Sequence, residues 1–597
     1  MSLKKEEWNL RQNRTKAISS NAPDITPTHG AELVGFIRFQ SHQNAPFERL
    51  EQSQSKNMKF ADLLMQDAAR RGIKHVFGLP GSGFPMDAME AGRKAGVEFV
   101  HVAHESSAAI AAAYYGAGLG TAGLAIGVKG VGAGNTLGGV ANAFFERMPV
   151  VCAFEAGATN SDTDLVQVTD HAAMFGGITK SFSTLERSTA NDTLRDAVAL
   201  ATDGRRGPVV IDYPSNFDDG DVGDLQSAPE NYVESSPDAN ALEEAKKLIG
   251  SAKHPMVVAG ADVATTGATA ELLKFVEAIG GAVQVNMDAR GVFPESHPRF
   301  AGVMTGNYVP HTIEGELQEL CDLAILVGAD SLMTHAPWDF KMPAIELVSR
   351  PEYRTTVPNP EVRVDGSLRE SLNALSSAGG TGVSIEAIDL AKQNIIQNYF
   401  ERPADAKFAI QDIVASCRKM LPGNGVVISE TGAFVRMLEH LWEFDTFGSF
   451  LGTSGGRTMG LMIPAALGAK MANPDVPMIG IGADGSTLMR LGEFEVFARM
   501  NVAMPLVIVN DRALGTMKSR QVSRGLPQFG LDITPVDFAA VGRAVGLNGV
   551  VARTPEEFES AITEAMTADK ATVIDARIDQ QPYWDNFALS IGAIPED

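Results

Sequence analysis

The sequence predicts an α/β protein made of three doubly wound parallel-sheet domains in series, and three observations carry that expectation. Runs such as Pro208-Val-Val-Ile-Asp-Tyr, Leu323-Ala-Ile-Leu-Val-Gly and Leu506-Val-Ile-Val-Asn are apolar throughout instead of alternating with polar residues. Continuous β-branched runs of this kind mark strands buried on both faces of a parallel sheet. Stretches with apolar residues at helical spacing separate them, as strand–helix alternation requires. Finally, polar or glycine-rich segments divide the chain into blocks of similar size.

The elements follow in order. Residues 1–57 are rich in Ser, Asn, Gln and Pro, lack an apolar core and begin with charges, so they are expected to be a disordered extension and not a signal peptide. The first domain, 58–225, opens with a helix from Phe60 to Arg71. Strands follow at His75-Val-Phe-Gly, Gly123-Leu-Ala-Ile-Gly-Val, Pro149-Val-Val-Cys-Ala-Phe and Pro208-Val-Val-Ile-Asp-Tyr, with helices at Ser106 to Ala117 and Thr136 to Arg147. A polar linker at 226–239 precedes the central domain, 240–375, with strands at Pro255-Met-Val-Val-Ala-Gly, Ala282-Val-Gln-Val and Leu323-Ala-Ile-Leu-Val-Gly. Beyond the link Ser376-Ser-Ala-Gly-Gly-Thr-Gly lies the third domain, 400–582. Its strands are Gly425-Val-Val-Ile-Ser, Met478-Ile-Gly-Ile-Gly, Leu506-Val-Ile-Val-Asn and Thr572-Val-Ile-Asp-Ala.

Composition narrows the function classes. With 50 basic and 73 acidic residues the net charge is -23, which argues against a phosphate-backbone partner; no nucleic acid is expected. No run of about 18 apolar residues occurs, so no membrane span is expected, and the chain reads as cytoplasmic. Cys152, Cys321 and Cys417 are far apart and in apolar contexts, which excludes a zinc CxxC and a disulfide framework.

The segment Ile481-Gly-Ala-Asp-Gly-Ser-Thr carries the strongest chemical signal. A buried strand delivers Asp484 to its C-terminal end, where Gly485 and Ser486 open a helix. Ligands bind at that end of a parallel sheet, and a helix N-terminus favours a phosphate. A second strand ends at Asn510-Asp511. Oxygen-bearing side chains at two strand ends suit a hard cation held against phosphates. A capping Asp at a helix start remains the simpler reading of the turn alone.

At these residues the sequence resembles the thiamine diphosphate (ThDP) enzymes, in particular the acetolactate synthase-like members with benzoylformate decarboxylase or pyruvate oxidase-type domain order. Their Gly-Asp-Gly signature falls on Ala483-Asp484-Gly485, and their Asn-Asn on Asn510-Asp511. The resemblance extends to Phe77-Gly-Leu-Pro-Gly81-Ser82-Gly83, to Ala103-His104-Glu105-Ser106 and to the glycine loop Lys129-Gly-Val-Gly-Ala-Gly134-Asn135. It implies a ThDP-binding fold used twice, around a Rossmann-like central domain. The implied metal ligands for Mg²⁺ are Asp484, Asp511 and the carbonyl of Ala513. The implied cofactor contacts are Gly81, Ser82, Gly83, Gly134, Asn135, Met459, Gly482, Ala483, Asp484, Gly485, Ser486, Asp511, Leu514 and Gly515. Two departures stand out: Ala483 replaces a glycine, and Asp511 replaces an asparagine, adding a charge beside the diphosphate. Glu105 takes the place of the catalytic glutamate that bonds the aminopyrimidine ring, His104 reads as structural, and Met459 takes the place of the apolar wedge that bends the cofactor.

The implied reaction is decarboxylation of a 2-oxo acid followed by transfer of the enamine to a second carbonyl. Release as an aldehyde is the alternative, and a non-catalytic protein retaining the fold is a third reading. No acid follows Asp511 in Arg-Ala-Leu-Gly-Thr-Met-Lys-Ser-Arg, which favours transfer over protonation. Gln167, in Thr163-Asp-Leu-Val-Gln, and Arg520, where the synthases have a tryptophan, are candidate substrate contacts; an arginine grips carboxylates well. In the central domain, the Arg-Phe-Asp segment of the synthases is replaced by Gly328-Ala-Asp-Ser-Leu-Met-Thr-His-Ala-Pro-Trp, so FAD is not expected. The resemblance also implies a homodimer or homotetramer with active sites shared between subunits.

Overall fold

The computed structural model describes residues 58–160, 166–227, 232–306, 309, 312–334 and 340–592, so the expected N-terminal extension lies outside the described residues. Three six-stranded sheets, parallel in every pairing, form in series. The first contains β1 (His75–Gly78), β2 (Glu98–His101), β3 (Gly123–Gly127), β4 (Val150–Ala156), β5 (Ser181–Thr184) and β6 (Pro208–Pro214), in the order β2-β1-β3-β4-β6-β5. The second contains β7 (Pro255–Ala259), β8 (Ala282–Val285), β9 (Phe300–Val303), β10 (Leu323–Val327), β11 (Ala344–Val348) and β12 (Val362–Asp365), ordered β12-β11-β10-β7-β8-β9. The third contains β13 (Val426–Ser429), β14 (Phe450–Leu451), β15 (Met478–Ala483), β16 (Pro505–Asn510), β17 (Asn548–Ala552) and β18 (Thr572–Arg577), ordered β14-β13-β15-β16-β18-β17.

Counted within each domain, the first and third sheets share one strand order, 2-1-3-4-6-5, and the middle sheet has the Rossmann order 3-2-1-4-5-6. The predicted fold class is therefore correct, including the repeated outer fold. Each sheet has its order reversal where two early strands adjoin: β1 and β3, β7 and β10, β13 and β15. Crevices for ligands open at the C-terminal ends of those strands.

The strands legible in the sequence are the central ones. Those it did not reveal are mostly edges. β2 and β5 are half exposed, β12 alternates, and β17 is buried only at Ala552. An edge strand has one face or side toward solvent, so its apolar run is broken. The central strand β11 was hidden for another reason, because Glu346 interrupts it; that carboxylate is buried and accepts the Thr356 amide at 2.5 Å.

Helices position the site. Used below are α1 (Glu105–Leu119), α2 (Val131–Phe145), α3 (Met462–Ala472), α4 (Asp484–Leu488), α5 (Glu493–Arg499), α6 (Gly515–Ser523) and α7 (Gln580–Ser590). Helix α1 is apolar on all sides and buried from Ser106 to Gly118, as a helix enclosed between layers must be. It lies against α3 so closely that a Cβ on Gly468 would stand 2.0 Å from the Ala111 carbonyl oxygen. This contact joins the first and third domains through small residues. Helix α2 begins at Val131, five residues earlier than the sequence suggested, so Gly134 and Asn135 sit in a helical first turn and not in a loop. Apolar neighbours on both sides hide such a start, because a run of Gly and Ala has no period of its own. The three cysteines are buried, and burial pushes the Cys152 and Cys321 thiols up to about 12. Among the described residues no helix is long and apolar enough to cross a membrane.

Candidate active site

The third sheet builds its site at two adjacent strand ends. β15 and β16 pair in parallel with Ala483 opposite Val509, so Asp484, one residue on, and Asp511, two residues on, leave adjacent strand ends. Asp484 is 1% exposed and its Oδ1 accepts the Gly485 amide at 2.6 Å; Oδ2 is buried without a protein donor. Asp511 is 4% exposed. Burial, and then the charge of Asp511, pushes the Asp484 carboxyl up to about 7. Burial pushes Asp511 up to about 6, against a hydrogen bond from Trp584 that lowers it. Two dry carboxylates with an orphan oxygen are costly on their own. A hard divalent cation answers both faults, since oxygen ligands satisfy it and its charge opposes theirs. Among the described residues no group of three or more His, Cys, Asp or Glu is arranged to hold a metal ion, so any such cation needs backbone or ligand oxygens as well. Ala513, the third predicted ligand, is buried two residues beyond Asp511 and bridges Asp532.

The rest of this half-site closes around the turn. A Cβ on Gly485 would lie 2.8 Å from Leu514 Cδ2 and 3.9 Å from Met459 Cε, so both side chains stand over the Asp484-Gly485 turn. The Leu514 amide is already bonded to the Leu531 carbonyl at 2.9 Å, which leaves its side chain as the group facing the turn. Gly482 packs against the Glu430 carboxyl, where a Cβ would come within 2.6 Å.

In the first domain, β2 leads through Val102 and Ala103 into α1, whose first residue is Glu105. His104 caps this helix, accepting the Ser106 amide on Nδ1 at 3.2 Å, which agrees with its structural reading. Glu105 is partly exposed, and Oε2 accepts Nδ2 of Asn135 at 3.1 Å. The predicted catalytic glutamate and the predicted contact Asn135 are thus brought together from two helices. Gly81 packs on Val128 and Gly83 on the Glu155 carboxyl, itself paired with Lys129 at 2.6 Å, so both glycine segments meet beside this end of the sheet.

Gln167 is exposed with φ of 61°, and its backbone rests on Gly130, itself at φ of 63°. It therefore lies beside the start of α2, although Thr163 to Leu165 of its loop fall outside the described residues. Arg520 is exposed on α6, a little over one turn beyond Gly515.

Several residues that organise the site were not found from the sequence. Glu146, buried at the end of α2, accepts the Thr453 hydroxyl at 2.6 Å and the amides of Ser454 and Gly456, both at 2.8 Å. With Asn142, which donates to Thr458 Oγ1 at 3.0 Å, it ties the Met459 loop to the first domain. Glu430 follows β13 and accepts the amides of Ala483 at 2.9 Å and Met462 at 3.2 Å; burial pushes it up to about 7. Glu493 of α5 accepts the amide of Ala103 at 3.2 Å, two residues before Glu105. His171 accepts the Gly130 amide on Nε2 at 3.2 Å and holds Asp212 at 2.8 Å through Nδ1. The only sequence signal for any of these was a charged residue in an apolar context.

The comparisons with known proteins agree with this architecture. The central thiamine pyrophosphate enzyme domain matches residues 242–375, the N-terminal TPP binding domain residues 58–174 and the C-terminal TPP binding domain residues 430–576. A probable acetolactate synthase large subunit of Methanocaldococcus jannaschii is 26% identical over 550 residues, covering 87% of this chain and 92% of that protein. The acetolactate synthase large subunit of Corynebacterium glutamicum is 29% identical over 532 residues, covering 84% and 83%. Among solved structures, the thiamine diphosphate-dependent 4-hydroxybenzoylformate decarboxylase of Rhodococcus jostii RHA1 superposes with a TM-score of 0.74 at 21% identity, over 88% of this chain and 100% of that one. With all three domains matched in the family's order, the chain belongs to the thiamine pyrophosphate enzymes, as an acetolactate synthase-like enzyme of carbon–carbon bond chemistry.

Proposed function

We propose that this chain is a ThDP- and Mg²⁺-dependent carboligase, which decarboxylates a 2-oxo acid and delivers the remaining fragment to a second carbonyl. The observation that carries the reading is the pair of buried carboxylates, Asp484 and Asp511, at adjacent strand ends, one with an orphan oxygen. They would hold Mg²⁺ with the carbonyl of Ala513, and the turn at Gly485 and Ser486 would face the diphosphate. When bound, ThDP supplies the electron sink that decarboxylation needs. Glu105 holds a proton at the pyrimidine ring, and Asn135 orients its carboxyl. Met459, on the loop held by Glu146, would pack against the cofactor.

Transfer is favoured over aldehyde release because α6, which follows Asp511, offers Lys518 and Arg520 but no carboxylic acid to protonate the product. The acetolactate synthase relatives point the same way. In this reading Arg520 and Gln167 would contact the anionic substrate or acceptor. The partly exposed Glu105 and the apolar surface of Leu488, Met489, Met517 and Phe529 near the other half-site support a homodimer with shared active sites.

FAD is not part of this reading. At the reversal between β7 and β10 stand Asp262 and Asp330, and Asp288 lies close enough to feel both charges. Burial raises Asp262 to about 6 and Asp288 to about 8. Arg147 bonds Asp330 at 2.9 Å and Arg205 lies 3.4 Å from it, so first-domain arginines are already paired with this carboxylate. Carboxylates are the wrong lining for a dinucleotide's diphosphate.

The deciding experiment incubates the protein, ThDP and Mg²⁺ with a panel of 2-oxo acids, alone and with aldehyde acceptors, and identifies products by mass spectrometry. The expected product is the sum of donor and acceptor less CO₂. Free aldehyde as the sole organic product would select the decarboxylase, and no binding of ThDP would sink both.

A further inference from the structure

We propose that Trp584 is a positioning residue for the metal–diphosphate site, and that helix α7 is thereby built into cofactor binding. The proposal rests on the reading of Asp511 as a cation ligand given above. An asparagine at that position would present one acceptor oxygen and an NH₂ group that only donates. Aspartate presents two acceptor oxygens and a charge. In a pocket that leaves Asp511 4% exposed, an unanswered second oxygen would be a costly buried acceptor and would leave the carboxylate less fixed in rotation.

The chain answers that oxygen itself. Nε1–H of Trp584 donates to Asp511 Oδ2 at 2.6 Å. Indole is a donor only, so its partner here must be the accepting oxygen. It occupies Oδ2 and fixes the carboxylate's rotation, so that Oδ1 would be the oxygen available to a cation, as the single oxygen of an amide would be. Gln580, one helical turn before Trp584, donates Nε2 to the main-chain oxygen of Asp511 at 2.6 Å. Two donors at i and i+4 on one face of α7 therefore grip the same residue by side chain and by backbone.

The surroundings fit the indole to this task. Lys518 Nζ stands 4.1 Å from the centre of the Trp584 ring and pairs with Asp532 at 2.5 Å. The cation over the ring face and the hydrogen bond at its edge fix the ring in one orientation. Helix α6 begins directly over the bond: a Cβ on Gly515 would come within 2.5 Å of Asp511 Oδ2 and 3.0 Å of Trp584 Nε1. Any side chain at 515 would push the two apart.

The test is calorimetric titration of ThDP with Mg²⁺ into the full chain, for wild type, Trp584→Phe, Asp511→Asn and the double variant. Trp584→Phe is expected to weaken cation-dependent ThDP binding by about tenfold or more, as loss of an outer partner does. In the Asp511→Asn background the same change is expected to matter less than about threefold, because no charged second oxygen is left to hold. Equal losses in both backgrounds would mean that the ring only packs, and would overturn the proposal, as would unchanged binding by Trp584→Phe. If that variant fails to fold, hydrogen exchange of residues 580–590 in wild type decides. Slower exchange with Mg²⁺ and ThDP is expected, and unchanged exchange overturns the coupling. A wild type that binds neither ligand would overturn the cofactor reading and this proposal with it.

Discussion

The first and third sheets share one strand order, yet their C-terminal ends are finished in opposite ways. In the third, Asp484 and Asp511 are 1% and 4% exposed and lie among backbone amides, an indole and the Glu430 clamp. In the first, Glu105 is partly exposed, with Asn135 as a side-chain partner. Topology gives both ends a crevice at the same place, and the side chains decide what each is for. On the proposed function, the buried acid pair would take a cation, and the half-exposed acid at a helix start would meet a ligand group that its own crevice does not enclose.

Four substitutions and a pH series can break or sharpen this contrast. Glu105→Gln is expected to slow exchange of the cofactor's C2 proton by about 10²–10⁴-fold while leaving ThDP affinity nearly intact. Exchange at the wild-type rate by NMR would remove Glu105 from the chemistry. Asp484→Ala should do the reverse, weakening Mg²⁺-dependent ThDP binding by about 100-fold or more in calorimetry. If it left affinity unchanged, the two ends would not differ in kind. Glu146→Ala leaves two buried amides and a hydroxyl without their acceptor, so a loss of about 2–4 kcal/mol in denaturant unfolding is expected. A neutral result would detach the Met459 loop from the first domain.

The pH series concerns the third sheet alone. Asp484 and Asp511 sit up at about 7 and about 6, against 3.8 for an ordinary aspartate. Without cation, the folded chain therefore keeps protons that the unfolded chain releases. Between about pH 4 and 7 these two groups make stability fall as pH rises. Cation binding needs them ionised, so affinity should rise over the same window, by about tenfold from pH 5.5 to 7.5. The gain in Tm on adding Mg²⁺ and ThDP should grow accordingly; a gain that is flat or shrinks with pH would contradict the assignment. The smallest effect is expected at Arg520, where alanine should raise KM for an anionic substrate by roughly threefold to tenfold. If KM and substrate range both stay put, the exposed guanidinium has no part in recognition.

Local pattern made much of this legible. The strand run before Asp484 and the glycine after it predicted a strand end opening a helix, and β15 and α4 have that form. Glu105 and Asn135 were also picked out, and their side chains meet. The glycines before Asn135 misled, since they read as a loop and belong to α2. Edge strands stayed hidden because their solvent-facing side breaks the apolar run.

By itself, then, the sequence determined the three sheets and the residue types at the strand ends, because burial on two faces leaves a continuous apolar record and tight turns leave glycine. Only the tertiary structure decided which distant charges would hold those ends. Glu146 meets Thr453 across 307 positions, Glu493 meets Ala103 across 390, and Trp584 meets Asp511 across 73. Such bonds follow from packing in three dimensions, and an isolated Glu or Trp in an apolar stretch carries no sign of the partner it will find.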